Sequence, residues 1–295
     1  MLQIFEAFFI LLKMNLPTLD FNRKDGKKLQ FEFSEITSET LPALQLNFHR
    51  HNFIEIIFIC NGTTNQIVDF NNFSVSENQV LIIPKNSVHQ ISETESYEGI
   101  WLLFTDTFLN LEQSKYLNEF SIFNPILDNK LLNLNAEEEI FQYLNLIKTE
   151  YNNLNAKNYE LLLQSLFFSL LVKLENIAQQ QYPVHVANSE REIYNLFLKL
   201  LEKSFQTQHS VSFYCNELNV TSKKLNILLL KCSGKTTSDL IMDRIIIEAK
   251  RLLSYSEKSI KEIGFDLGFE DNHYFSRIFK KKTNISPEGF KKKIS

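Results

Sequence analysis

The feature that most constrains this chain is a change of hydrophobic period part-way along it. From Leu29 to Phe104 the apolar residues come in short β-rich runs, "LQFEF", "FIEIIFIC", "QIVDF", "FSVSENQVLIIP" and "GIWLLF", separated by Asn-Gly, Asn-Asn and Pro. Runs of that length with turn chemistry between them predict an all-β barrel or sandwich over 29–134. After Asn135 the steps become three and four: Ile140, Tyr143, Leu144 and Ile147, then Leu162, Leu166, Leu170 and Leu174. That spacing predicts helices over 136–151 and 158–178, a hairpin within 135–178.

A polar stretch containing Pro183 follows, and its composition reads as a linker over 179–189. From Glu190 onward no strand pattern remains. Apolar residues keep helical spacing through 190–206, 211–218, 222–232, 238–254, 259–267, 271–282 and 287–293, which predicts an all-helical domain over 190–295. The expected fold class is therefore α+β with two domains, and 295 residues suffice for two cores.

Net charge divides at the same place. Before Glu190 there are 12 Lys+Arg against 22 Asp+Glu, and from it onward 19 against 13, so a chain of net −4 is −10 in one part and +6 in the other. A basic C-terminal domain suits a polyanionic partner, and an acidic N-terminal one must do something else. Cys60, Cys215 and Cys232 lie far apart with no Cys-x-x-Cys, so neither a disulfide framework nor a cysteine zinc site is indicated, and reduced, intracellular thiols fit best.

The opening "MLQIFEAFFILLKM" lacks a basic start and a cleavage site, carries Glu6, and is too short for a bilayer. Residues 1–28 are read as an N-terminal extension, with the translation start left open between Met1 and Met14.

Within the basic domain one pattern occurs twice: short helix, tight turn, longer helix, then Gly or Asn, Ser/Thr and a new helix start. The copies span about 211–232 and 259–282. In the second, Gly268 falls where a positive φ is needed, Gly264 permits close helix approach, and Asp271 is placed to cap the next helix. Phe275, Ile278 and Phe279 form its inner stripe, leaving His273, Ser276, Arg277 and Lys280 outward. Such a face suits the major groove, with Arg reaching guanine O6 and N7.

The text "GKTTSDLI", "AKRLL", "SIKEIGFDLGFEDNHYFSRIFKK" and "SP" resembles the DNA-binding domain of AraC/XylS-type bacterial transcriptional regulators. The resemblance implies two helix-turn-helix units bridged by one helix and bound to double-stranded DNA. It places Asn272, His273, Tyr274 and Arg277 against bases, with Lys280 and Lys281 nearer phosphate. In the first unit it places Lys223, Asn226 and position 227 toward DNA, the alternative being a mostly structural helix with Lys223 and Lys224 on phosphates. This chain departs from the pattern at Ile227, where relatives commonly carry arginine, and at Leu230, where they commonly carry lysine.

In the acidic part, His49-x-His51-x3-Glu55 with Gly62, then Pro84 and His89, resembles the two metal motifs of the cupin superfamily, with Asn86 where the second motif has glycine. On a strand, period two puts His49, His51 and Glu55 on one face. AraC-type sensor domains often keep this string while holding an organic effector. The expectation is accordingly no cofactor but an unknown small-molecule effector, bound near His49, His51, Glu55, His89, Phe53 and Trp101, with Phe48 and Phe58 also lining the pocket. The same four polar residues would be the ligands if a metal were bound.

The hairpin resembles the family's dimerising element, so residues 136–178 are expected to join a homodimer or to pack on their own barrel. The whole then reads as a cytoplasmic, effector-responsive regulator, by default an activator that meets RNA polymerase, and not an enzyme or membrane protein. The alternatives are a metal-dependent cupin enzyme with a helical appendage, and an effector-less regulator with a vestigial barrel.

Overall fold

The computed structural model describes residues 18–19, 30–37, 48–117, 119–124, 127, 130–134, 138–153, 157–183 and 186–294. The chain divides into two compact units between Pro183 and Val184.

Two long strands organise the N-terminal unit. The strands are β1 (Thr18–Leu19), β2 (Phe31–Thr37), β3 (His49–His51), β4 (Ile54–Val68), β5 (Asn71–Ser76), β6 (Gln79–Ile83), β7 (Val88–Phe104) and β8 (Leu131–Asn133). They form one sheet ordered β1-β3-β7-β4-β6-β8, with β2 also on β7 and β5 also on β4. The antiparallel β4 and β7 pair from Ile54↔Phe104 to Val68↔His89, and three register shifts interrupt the ladder. Such irregularities bend strands, and each long strand changes its outer partner along its length: β7 pairs β2 at one end and β3 at the other.

Strand period two sorts the side chains into two cores. Glu55, Ile57 and Ile59 alternate with Ile54, Ile56 and Phe58, and all six are buried. The first parity faces a core with Leu81, Ile83, Ile91, Tyr97 and Trp101. The second meets a larger core built with the helices. Phe58 was expected in a ligand pocket with Trp101; strand parity puts it on the opposite face, among Leu102, Phe104 and helical residues.

The helices of this unit are α1 (Leu111–Leu117), α2 (Glu138–Tyr151) and α3 (Tyr159–Gln181), with a 3₁₀ turn at Ser121–Phe123. Ile140, Leu144 and Ile147 of α2 and Leu163, Phe167, Leu170, Leu171 and Leu174 of α3 bury against the sheet. Phe167 meets Phe31 and Phe104 edge-on, at centroid distances of 4.9 and 4.8 Å. Among the described residues α3 is the one helix long and apolar enough to cross a membrane by length and composition. Its apolar face is used in this core instead.

Three boundaries differ from expectation. The sheet begins within the supposed 1–28 extension, because Thr18–Leu19 pairs in parallel with Arg50–His51; two residues are too few to show a period. The rest of that extension, including the choice between Met1 and Met14, lies outside the described residues. The expected 179–189 linker shortens to 182–187, because α3 continues to Gln181 and the next helix starts at Asn188. Gln181 accepts from Asn133 N at 3.0 Å and donates to Asn133 O, so its amide covers the open edge of β8.

The C-terminal unit has the seven expected helices among its described residues: α4 (Asn188–Ser204), α5 (Val211–Glu217), α6 (Ser222–Ser233), α7 (Thr237–Tyr255), α8 (Ile260–Asp266), α9 (Asn272–Thr283) and α10 (Pro287–Ile294). The starts of α5 to α9 are capped by the side chains of Ser210, Thr221, Thr236, Ser259 and Asp271. Helices α6 and α9 both end on a left-handed residue, Gly234 and Asn284. The repeat seen in the text is thus a repeat of caps.

Candidate functional site

In the second helix-turn-helix unit, Gly268 has φ +80°, and a Cβ there would lie 2.3 Å from the Gln206 carbonyl oxygen. Only glycine fits that turn, which aims α9 outward. At the α9 start the Asp271 carboxylate accepts from His273 N at 2.8 Å. Phe275 and Phe279 are fully buried, so the helix is clamped from within. His273, Arg277, Lys280 and Lys281 are exposed, as is half of Tyr274. The Arg277 guanidinium lies 5.7 Å from the Tyr274 ring centre, which steadies it without consuming its donors. An open hollow of about 380 Å³ lies beside Tyr274 and Arg277, with Glu270 and Asp271 also on its wall.

Other expected contacts fall elsewhere. Asn272 is half-buried with Oδ1 turned toward Gly264, so it does not belong to the exposed face. Lys282, the last of the three consecutive lysines, is turned away from a phosphate-binding role and donates to Asp239 at 2.8 Å and Asp243 at 2.9 Å. Burial opposes its charge, but those two carboxylates prevail and its pKa is raised. In the first unit Lys223 and Lys224 are exposed. The Asn226 Oδ1 accepts from Thr237 N at 3.1 Å and ties α6 to α7, so toward DNA this side chain would offer its amide N–H groups and not its oxygen.

One network escaped the sequence reading. Arg244, almost fully buried, donates to Glu202 at 2.8 Å and Glu248 at 3.1 Å, and lies 3.8 Å over the Phe205 ring. Arg251 donates to the same Glu248 at 3.2 Å. The signal was the spacing of Arg244, Glu248 and Arg251 by four and three, obscured because charges at helical spacing usually mark a solvated face.

In the N-terminal unit, His49, His51, Glu55 and His89 are at most 1% exposed, and the structure brings all four together. His49 sits opposite His89 across β3 and β7. His51 Nδ1 donates to the Phe53 carbonyl at 2.8 Å, while Phe53 stacks on the His51 ring at 3.9 Å. Asn86 holds the place of the motif glycine by taking φ +63°, which asparagine tolerates, and donates to the His51 carbonyl.

With Nδ1 donating to the Phe53 carbonyl, the ring nitrogen that His51 turns inward is Nε2. That atom lies 3.1 Å from Glu55 Oε2 and 2.9 Å from His89 Nε2, and His89 Nε2 is 3.4 Å from the same oxygen. The ligand atoms of the three histidines lie within 4.8 Å of one another. Burial, then the neighbouring His51 and His49, hold the His89 pKa well below its usual value, so this imidazole is neutral. Spacings of 2.9–3.4 Å also suit ligand atoms bonded to one ion at about 2.1 Å, and the Phe53 carbonyl behind His51 is the usual second support of a metal-bound imidazole. The residues therefore fit a metal.

Trp101 lies on the same strand parity as this cluster. Its Nε1, Glu55 Oε1, Gln66 Oε1 and the Tyr97 hydroxyl are buried without hydrogen-bond partners among the described residues. Gln66 and Tyr97 were not singled out: Gln66 opens the run "QIVDF", and Tyr97 lies two residues before "GIWLLF". Burial, then the Glu55 charge, push the Tyr97 pKa up, so the hydroxyl stays protonated.

The AraC-like ligand binding domain family matches residues 35–171, and the Helix-turn-helix domain family matches 214–293. The HTH-type transcriptional activator RhaS of Mannheimia succiniciproducens is 26% identical over 249 residues, covering 81% of this chain and 87% of that protein. The HTH-type transcriptional activator RhaR of Cronobacter sakazakii is 21% identical over 261 residues, covering 85% and 89%. A crystal structure of ToxT from Vibrio cholerae O395 aligns at a TM-score of 0.43 and 17% identity over 90% of this chain and 98% of that one. The two family matches together take in most of the chain, each on the unit whose geometry suits it, and the chain belongs to the AraC/XylS-type transcriptional regulators, which bind DNA.

Proposed function

We propose that this protein is a cytoplasmic transcriptional activator that reads DNA chiefly through α9 and senses a small molecule inside its sheet. The observation that carries the DNA reading is the outward row His273, Tyr274, Arg277, Lys280 and Lys281 on a helix clamped by Phe275 and Phe279. Arg277 would take a guanine edge, and Lys280 and Lys281 phosphates. Activation follows the names of the relatives and calls for contact with RNA polymerase. Exposed Leu146, Leu161, Leu162 and Val172 on α2 and α3 support a homodimer through 136–178. Sensing is linkage: an effector that binds one arrangement of the chain more tightly shifts its affinity for DNA.

The effector site is expected near the histidine cluster at Trp101, Tyr97, Gln66 and Glu55, where Trp101 Nε1, the Tyr97 hydroxyl, Gln66 Oε1 and Glu55 Oε1 have no hydrogen-bond partner among the described residues and suit a polar ligand. The test is selection of DNA from a random pool, then footprinting with and without a metabolite library. No selected sequence would overturn the DNA reading, and unchanged DNA affinity and melting temperature across the library would favour an effector-less regulator.

A second reading of the cluster rests on its donor spacing: His49, His51, His89 and Glu55 would hold a divalent ion such as zinc, as a structural or sensory group. Elemental analysis of purified protein should then give about one equivalent, lost in Glu55→Gln and His51→Ala. Metal equal in wild type and both variants would eliminate it.

A further inference from the structure

Helix α6 presents an unusual face. Leu225, Leu228 and Leu229 are at most 1% exposed and supply all the core contact it needs. Ile227 nonetheless remains 45% exposed and Leu230 42%. Lys223, Ile227 and Leu230 are spaced by four and three, so they form one stripe along the helix. The stripe starts with an exposed cation beside exposed Lys224 and continues as two branched apolar side chains. The nearest polar alternative, Asn226, is half-buried and its acceptor is held by Thr237 N. Beyond Lys223, nothing on this stripe can exchange a hydrogen bond with a base.

A reading helix whose central positions carry no donor or acceptor can still discriminate. The major-groove edges of the four base pairs offer one apolar group, the thymine 5-methyl. We propose that Ile227 and Leu230 are specificity residues that recognise thymine methyl groups, making the first helix-turn-helix unit a methyl reader beside the hydrogen-bonding reader α9. DNA is favoured over a protein partner as occupant because the stripe is continuous with Lys223 and Lys224 at the start of the same helix, inside the domain that binds DNA. The inference rests on α6 entering a major groove.

The test uses the full-length chain and a site selected from random DNA. Each thymine is replaced in turn by deoxyuridine, which keeps every hydrogen-bonding group and removes only the methyl. One or two positions in the half of the site away from the Arg277 contact should lose affinity about fourfold each, the worth of one buried methyl group. Ile227→Ala and Leu230→Ala should bind the thymine site more weakly and become indifferent to uracil at one position each. Both side chains are surface groups, so unchanged melting temperatures would show that the fold is intact. Uracil tolerated throughout that half, while footprinting still shows it protected, would overturn the proposal. So would Ile227→Ala that keeps full affinity and uracil sensitivity yet abolishes activation, which would mark a protein contact. Failure to select any site would instead count against the DNA reading itself.

Discussion

The three consecutive lysines that end α9 are chemically identical in sequence, yet the structure gives them opposite duties, and salt dependence can separate them. Lys281 is exposed, whereas Lys282 is 24% exposed and bridges Asp239 and Asp243 of α7. Each phosphate neutralised contributes about −0.9 to the slope of log K against log salt. Lys281→Ala should therefore make that slope shallower by about 0.9. Between 50 and 200 mM salt the variant would lose roughly 3.5-fold less affinity than wild type. Lys282→Ala should leave the slope unchanged and instead weaken the α7–α9 connection by about 1 kcal/mol or less, since Asp239 is half-exposed and water screens the pair. Fluorescence anisotropy on one operator duplex at five salt concentrations measures the slopes, and thermal melts measure the stability. A slope change in Lys282→Ala equal to that of Lys281→Ala would refute the division of labour.

Arg277→Ala should cost about 1–3 kcal/mol on the selected site and relax one base-pair position, read by competition among single-substitution duplexes. Gly268→Ala should destabilise the C-terminal unit by about 3 kcal/mol or more, seen as a lowered melting transition, because the new Cβ meets the Gln206 carbonyl in a left-handed turn. Bonds from Lys282 and Thr236 hold the Asp239 pKa below the usual aspartate range. A depressed carboxylate stabilises the fold above its ordinary pKa and loses that contribution as pH falls through the folded value. The melting-temperature gap between wild type and Asp239→Asn should thus be present at neutral pH and close in acid; a gap constant down to about pH 3 would contradict the pairing.

Much of this was legible because period and punctuation survive in one dimension. The switch from strand runs to three-and-four spacing marked the passage from sheet to helices inside the N-terminal unit, the polar stretch with Pro183 marked the division between units, and Gly268 and Asp271 announced a turn and a cap that occur as read. The limits were set by partners distant in sequence. Phe58 and Trp101 look alike as strand aromatics, and only pairing and parity place them in different cores. Lys282 finds Asp239 and Asp243 some forty positions away, and Asn226 finds the backbone of Thr237, so their availability to DNA could not be read from their own segments. The histidine cluster lay between: strand period aligned His49, His51 and Glu55, but the Phe53 carbonyl that fixes the His51 proton appears only in three dimensions.

The buried arginines of α7 have a consequence for the promoter. Arg244 reaches Glu202 of α4, while Glu248 and Arg251 belong to α7 itself, so the network fastens to α4 the 19-residue rod, roughly 28 Å long, that joins the two proposed readers. A single chain so built has no internal two-fold, and on the proposed reading neither does the stretch of DNA that one chain reads. Each chain's half-site is then an arrow rather than a palindrome, and turning it around upstream of a gene would present the transcription machinery with the opposite flank of that chain.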